Sequence, residues 1–492
     1  MDYITLVILT IIIVLSYLVV TQRKKGLPPG PTGWPIINNY GYIKNINSLQ
    51  KNLAALREKY GDIFSLRFMS TDVIVLNGAD AIKEALVNNA DDFSGRPQLF
   101  TSKGRNNNGI VNNHKSWKET RKFSLVALKD FGLGKKSLED TLTEEITYLT
   151  QSLASENGKP CCIDAMMNKS VSNIICSIAF GKRFEYDDPQ FEKLLNRLNY
   201  LFMVGGGPYS TMNYNIFWQT MVTIVWKIIG RLPVKAFRYF EEIREFVREK
   251  VEEHKETFDP NDIRDIIDLC IEAEYSKGTS RVSLDDCFEI VIDLFAAGTE
   301  TTSNSLKWFI LYMMHEQAVQ EKCYEEIAKN IGSSSIKMSD RGKCPYFEAT
   351  LLEVQRMATL APMSLPHTAN KDLYFRGHFF PKGVVVVPNL TSAHKDATYW
   401  GDPEVFRPER WLSPEGKIIQ HSAFMPFSLG RRACLGKQLA QMELFLFASS
   451  LVQRFSFQTL DPNDPPTLEG IQSLTWVPKR FQMKAIPRSP DN

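Results

Sequence analysis

The chain opens on an apolar run from Tyr3 to Val20 that only Thr5, Thr10 and Ser16 interrupt. As a helix rising about 1.5 Å per residue it reaches about 27 Å, the thickness of a thin bilayer. Asp2 precedes the run, Arg23, Lys24 and Lys25 follow it, and no small-x-small cleavage pattern is present. That order of charges favours an uncleaved transmembrane anchor over a signal peptide, with the N-terminus in the lumen and the rest in the cytosol. Leu27-Pro-Pro-Gly-Pro31 cannot be helical and reads as a stiff spacer. The expected division is residues 1–26 as anchor, 27–39 as a proline-rich hinge and 40–492 as one domain.

Beyond the hinge, helical periodicity governs the pattern. It predicts helices over Asn47–Tyr60, Ala79–Asn88, Trp117–Leu128, Glu139–Glu156, Met166–Phe180 and Glu241–Thr257. Further helices are predicted over Ser283–His315, Ala318–Ile331, Tyr346–Ala358 and Leu435–Arg454. Strand patterns are short: Ile63–Phe68, Val73–Leu76, Leu373–Phe375, Val384–Val387 and Phe481–Ala485. The expected fold is mainly α with small peripheral β-sheets. Nothing alternates as β-α-β, which argues against a doubly wound nucleotide-binding domain. Leu201–Leu232 mixes Trp218 and Trp226 with aliphatic residues, which suits either a buried helix or a membrane-dipping surface.

Composition narrows the classes. Hydrophobic residues at 43% and charged residues at 23% describe a globular protein with a large core. A net charge of +2 without a basic tract argues against a nucleic-acid partner. The 8 cysteines form no C-x-x-C pair, so neither a disulfide framework nor a zinc site is expected. Reduced thiols facing the cytosol fit this usage.

Candidate chemistry gathers around Cys434, set between Gly430 and Gly436 in Phe427-Ser-Leu-Gly-Arg-Arg-Ala-Cys-Leu-Gly436. A run of helix formers follows, placing the thiol at a helix start, where backbone amides favour thiolate. Glycines on either side let backbone approach a flat partner, and a thiolate in such a loop is one way to hold haem iron. A buried structural cysteine is the alternative that this residue alone leaves open. Upstream, Ala297-Gly-Thr-Glu-Thr-Thr302 lies in the middle of the longest predicted helix. The Thr301 hydroxyl can bond back to the Ala297 carbonyl there. Gly298 could equally serve helix packing. Glu353 and Arg356 stand three apart on one helical face, as do Trp117 and Arg121 at a spacing of four.

The window Phe427–Gly436 matches the cysteine-loop signature F-x-x-G-x-x-x-C-x-G of cytochrome P450 enzymes. Ala297–Thr302 resembles their oxygen-binding helix, A-G-x-E-T-T, and Glu353-Val-Gln-Arg356 their E-x-x-R motif, with Phe406-Arg-Pro-Glu-Arg410 at the usual place. Pro-Pro-Gly-Pro, Phe123-Ser-Leu-x-x-Leu128 and Met442-Glu-Leu-Phe look like the animal drug- and steroid-oxidising family 2. The resemblance spans Leu27 to the C-terminus. It implies the P450 fold behind one transmembrane helix, with haem b held by Cys434. It also implies a local helix break that makes room for O2, with Thr301 and Glu300 organising water that delivers protons. Glu353, Arg356 and Arg410 would form a structural ion cluster. Trp117, Arg121 and Arg432 would meet the haem propionates, and Arg96 and His367 match positions used by microsomal members. Ile110, Val111, Leu294, Ala297, Ala361, Leu365 and Leu474 would line an apolar substrate pocket.

The same resemblance implies electrons from NADPH through a separate cytochrome P450 reductase, with cytochrome b5 as a second donor. Lys115, Lys118, Arg121, Lys122, Lys129, Lys135 and Lys136, joined by Arg431 and Lys437, suit either reductase docking or a solvated face. The expected enzyme is an endoplasmic-reticulum monooxygenase, catalytic domain in the cytosol, that hydroxylates or N-/O-dealkylates lipophilic steroids and xenobiotics. Alternatives are a haem-thiolate isomerase or dehydratase acting on peroxides, a dedicated endogenous-lipid hydroxylase, and a haem sensor or carrier.

Overall fold

The computed structural model describes residues 5, 11, 25–33, 39, 41–44, 48–68, 71–97, 109–114, 116–131, 136–206, 233–275 and 282–488. Within the predicted anchor only residues 5, 11, 25 and 26 are described, and most of Leu201–Leu232 lies outside the described residues. Among the described residues no helix is long and apolar enough to cross a membrane.

Helices dominate: α1 (Leu49–Tyr60), α2 (Ala79–Lys83), α3 (Trp117–Asp130), α4 (Lys136–Ser155), α5 (Asp164–Phe180) and α6 (Pro189–Gly206) come first. Then follow α7 (Pro233–Glu256), α8 (Ile266–Tyr275), α9 (Leu284–His315), α10 (Gln317–Asn330), α11 (Pro345–Ala358) and α12 (Lys437–Arg454). The 32-residue α9 starts at a capping box, in which Ser283 and Asp286 each bond the other's backbone N–H. It packs on α5, α11 and α12 through the largest apolar core. A π-helical turn, Glu84–Asn88, continues α2 where the sequence pattern predicts one regular helix.

Among the described residues four small sheets sit at the periphery. Strands β1 (Ile63–Phe68) and β2 (Thr71–Leu76) form a hairpin, and β3 is Pro160–Cys161. Next come β4 (His367–Thr368), β5 (Leu373–Phe375), β6 (His378–Phe380), β7 (Val385–Pro388) and β8 (Phe455–Gln458). The last are β9 (Gly470–Gln472), β10 (Trp476–Pro478) and β11 (Met483–Pro487). The orders are β1-β2-β7-β4 and β3-β11-β8, with β5–β6 and β9–β10 as separate pairs. Val73 pairs with Val385 in parallel, so β2 and β7 join across most of the chain.

Part of the hinge is pinned rather than a free spacer. The Ser65 hydroxyl donates to the Pro28 carbonyl at 2.7 Å, and its N–H to that of Pro29 at 2.8 Å. Proline carbonyls remain good acceptors although the ring nitrogen donates nothing.

Candidate active site

The cysteine loop is held by its own backbone. The Cys434 N–H donates to the Phe427 carbonyl at 2.9 Å, and a 3₁₀ turn, Gly430–Arg432, lies between them. Gly430 has φ +75°, and a Cβ there would lie 1.8 Å from the Leu86 carbonyl oxygen. Its closeness serves packing on the π turn, whereas a Cβ on Gly436 would meet no protein atom within 4 Å. The Cys434 thiol is accessible although protein surrounds it, as expected of a side chain opening into an internal space. Burial pushes the thiol up, more than the Gly436 N–H and the charges of Arg121 and Lys437 draw it down. The expectation from the helix start alone is thus reversed for the protein chain by itself.

Beside that space three arginines converge. Arg432 is only 7% exposed, and its Cζ stacks 3.5 Å from the centroid of the Trp117 ring. It donates to the carbonyls of Ser94 at 2.9 Å and Asn112 at 3.1 Å and to the Asn113 side-chain oxygen at 3.1 Å. None of these acceptors carries charge. Burial, then the charges of Arg96 and Arg121, pull Arg432 down to about 8. Arg121 donates to the Ala433 carbonyl at 2.6 Å, and Arg96 to those of Leu365 and Pro366, both at 2.7 Å. His367 is buried, with Nδ1 against the Phe93 carbonyl at 2.7 Å and Nε2 without a partner among the described residues. Burial and the charges of Arg96 and Arg432 push it down to about 3, so the ring is neutral. Mutually repelling buried cations bonded to neutral oxygens suit an anionic guest, and an accessible thiol beside them suits a metal. The residues fit a haem with two carboxylates.

Helix α9 borders a cleft shared with Phe427 of the cysteine loop. Ala297 is exposed in mid-helix, and the Thr301 hydroxyl donates to its carbonyl at 2.7 Å. The helix runs unbroken through this point, contrary to the predicted local break. A Cβ on Gly298 would come within 3.0 Å of Ile175, so this glycine lets α9 approach α5. Glu300 does not share the open side: it is buried and accepts from Asn304 Nδ2 at 2.8 Å. Burial raises it, while the Lys307 charge and the Asn304 bond draw it down. A small cleft of about 50 Å³ runs between Thr301 and Thr302 of α9, Ala440 and Leu444 of α12, Leu360 and Phe427.

The pocket candidates are tied in at several points. The N–H groups of Ile110 and Val111 donate to one oxygen of Asp293, at 2.8 and 3.1 Å, fixing that loop to α9 beside buried Leu294. Trp117 Nε1 donates to the Ile110 carbonyl at 2.9 Å. Leu365 is held through Arg96. Leu474 is 40% exposed, its N–H on the Phe202 carbonyl at 3.0 Å, and Ala361 is half-buried. Most of the loop Phe100–Asn113 lies outside the described residues.

Behind the cysteine loop the ion cluster is assembled. Glu353 and Arg356 are fully buried and bonded at 2.8 and 2.9 Å. Arg410 reaches Glu353 at 3.0 Å, and the Arg407 N–H and Trp411 Nε1 each add a bond at 2.9 Å. Burial raises the Glu353 carboxyl, but the Arg356 bond and charge outweigh it and hold it below its usual value.

Several residues here escape motif reading. Asp293 anchors the pocket loop, and Glu443, fully buried on α12, shares a hydrogen bond with Thr302. Burial pushes Glu443 up to about 8, so it is largely a neutral acid at pH 7. An acid inside an apolar helix stretch is the signal that marks it.

Comparison with known proteins agrees with this geometry. The family model Cytochrome P450 matches residues 28–485. The chain is 36% identical to cytochrome P450 2G1 of Rattus norvegicus, over 95% of each chain. It is 38% identical to cytochrome P450 2C1 of Oryctolagus cuniculus over 94% of each, and 36% identical to human cytochrome P450 2U1 over 94% of this chain and 89% of that one. These relatives are family 2 cytochromes P450. With that membership come monooxygenase activity, haem ligated by a cysteine thiolate, and O2 with reductase-derived electrons. The chain belongs to the cytochrome P450 family.

Proposed function

We propose that this enzyme places one atom of O2 into neutral lipophilic molecules such as steroids and xenobiotics, giving hydroxylated and N- or O-dealkylated products. One observation carries the reading: an accessible Cys434 thiol beside buried Arg432, whose bonds all go to neutral acceptors. Bound haem supplies the cleavage of O2 and the transfer of one oxygen atom. Cys434 would hold its iron through the thiolate. Arg96, Arg121, Arg432 and neutral His367 would hold its carboxylates, with Trp117 orienting Arg432 from beneath.

Thr301, on the wall of the cleft, would organise water, and buried Glu300 next to it would supply protons. Ile110, Val111, Leu294, Ala297, Ala361, Leu365 and Leu474 exclude water and offer apolar contact without a charge. Such a surface distinguishes a missing methylene by only about 1–3 kcal/mol, which supports breadth of substrate.

Electrons come from NADPH through cytochrome P450 reductase, with cytochrome b5 as a second donor. Exposed Lys118, Lys122, Lys129 and Lys437 support docking on the cysteine-loop side. Residues 1–26 anchor the chain in the endoplasmic reticulum with the domain in the cytosol.

Incubation with reductase, NADPH, 18O2 and a chemically diverse substrate panel tests the reading. Several products are expected, hydroxylated ones carrying one labelled oxygen and dealkylated ones releasing it in the aldehyde fragment. Unlabelled product formed from peroxides without NADPH would establish an isomerase or dehydratase instead. Turnover of a single compound would establish a dedicated hydroxylase.

A further inference from the structure

Glu300, Asn304 and Lys307 follow one another at spacings of four and three, which places them on one face of α9. All three residues are buried. Asn304 Nδ2 donates to Glu300 at 2.8 Å and lies 3.5 Å from the Thr475 hydroxyl. Lys307 Nζ donates to Asn168 Oδ1 at 3.1 Å and lies 3.6 Å from Asp164, the first residue of α5. Asp164 is 31% exposed, within 3.9 Å of exposed Arg480, and accepts from the Cys162 thiol at 2.9 Å. Polar groups therefore follow Glu300 along α9, and the Lys307–Asp164 pair at their far end meets solvent.

A second observation points to water along this line. Among the described residues, Asn304 Oδ1, Ser473 Oγ and Gln472 Oε1 are buried without a hydrogen-bond partner. Gln472 and Ser473 stand just before Thr475, which reaches Asn304. Buried polar atoms of this kind are satisfied by ordered water, and bonded water passes protons between side chains. A lone buried salt bridge would need no such unpaired acceptors.

We propose that this line is the proton supply of Glu300: protons enter from bulk water at Asp164 and move along water held by Asn304, Ser473 and Thr475. Each proton that Glu300 gives up toward the reacting oxygen is replaced from this side. Lys307 and Asn304 are positioning residues. Asn304 fixes the carboxyl, and the Lys307 ammonium limits how far burial raises it. The proposal rests on Glu300 and Thr301 acting in proton delivery, and the experiment separates the two ideas.

Lys307→Met, Lys307→Arg, Asp164→Asn, Glu300→Gln and Thr301→Ala are prepared in the full chain, loaded with haem and checked by the spectrum of the reduced carbon monoxide complex. Peroxide released per product and the solvent isotope effect on product formation are then measured. With Lys307→Met and Asp164→Asn both are expected to rise, peroxide by roughly threefold or more, and Lys307→Arg to restore the parent values. Infrared titration supplies a readout apart from turnover. The protonated carboxyl band absent from Glu300→Gln should persist to higher pH in Lys307→Met.

If Glu300→Gln and Thr301→Ala uncouple the enzyme while Lys307→Met and Asp164→Asn match the parent, the relay is refuted and the role of Glu300 stands. If all four match the parent, both ideas fail. Should Lys307→Met not load haem, partly exposed Asp164→Asn alone decides.

Discussion

Arg432 lies face-on to Trp117, its guanidinium 3.5 Å from the ring centroid, while Trp117 Nε1 and Arg432 both reach toward the Ile110 carbonyl, at 2.9 and 3.4 Å. One indole thus orients a cation beside the thiol and fixes a pocket residue at the same time. The stacked cation is poorly solvated and repelled by Arg96 and Arg121. Anion binding relieves that repulsion.

Arg432→Leu should therefore loosen haem more than it loosens the polypeptide. Losing one charge-assisted bond to a carboxylate costs about 1.5–3 kcal/mol, or roughly 10- to 150-fold in retention. Transfer of haem to an apoglobin measures it. Unchanged transfer rates would remove Arg432 from the cradle.

Glu353→Ala should be severe for folding. It leaves Arg356 and Arg410 without their shared carboxylate, and breaking a buried pair costs about 3–5 kcal/mol. Urea unfolding of the haem-loaded chain reads this. A midpoint equal to the parent's would contradict the cluster's structural role.

Glu443 makes stability depend on pH in a stated direction. Its folded value is raised from 4.5 to about 8, so the native state holds a proton that the unfolded chain releases earlier. Stability from this group is complete below about pH 4.5 and is lost as pH rises to about 8. Glu443→Gln should flatten that part of the profile and gain stability relative to the parent at pH 8.5. Parallel urea midpoints for the two proteins between pH 5 and 8.5 would show that Glu443 does not carry this dependence.

Orientation needs a reporter other than the chain's own sequons, Asn168-Lys-Ser and Asn389-Leu-Thr. Asn389 is 2% exposed and donates to Asn77, while Asn168 holds Lys307. Burial keeps Asn389 bare in the folded protein on either side of a membrane, which leaves half-buried Asn168 as a single weak reporter. Trypsin added to sealed microsomes should instead cut the domain without detergent. Protection until detergent is added would reverse the orientation.

Periodicity located the long helices because their apolar stripes repeat within the chain, and Leu284–His315 departs from its predicted range by one residue. Helices α6 and α8 went unread: α8 begins with two adjacent buried isoleucines, Ile266 and Ile267, rather than a spaced stripe. Two-residue strands such as His367–Thr368 exist only through pairing with remote Val386 and Val385, which no local pattern records. At the site, motifs named Cys434, Thr301 and Glu353 but not the face each takes. Glu300 beside Thr301 takes a different, buried face, since adjacent helical residues lie about 100° apart. Gly430 shows the same limit, its need for a missing Cβ being set by Leu86, far off in sequence.

The central claim is that Cys434 ligates haem iron as a thiolate, and the reduced carbon monoxide complex of Cys434→His tests it most directly. The parent should show the red-shifted Soret band that thiolate ligation produces, and Cys434→His should bind haem without it. A red-shifted band persisting in Cys434→His would place the ligand elsewhere and contradict the account.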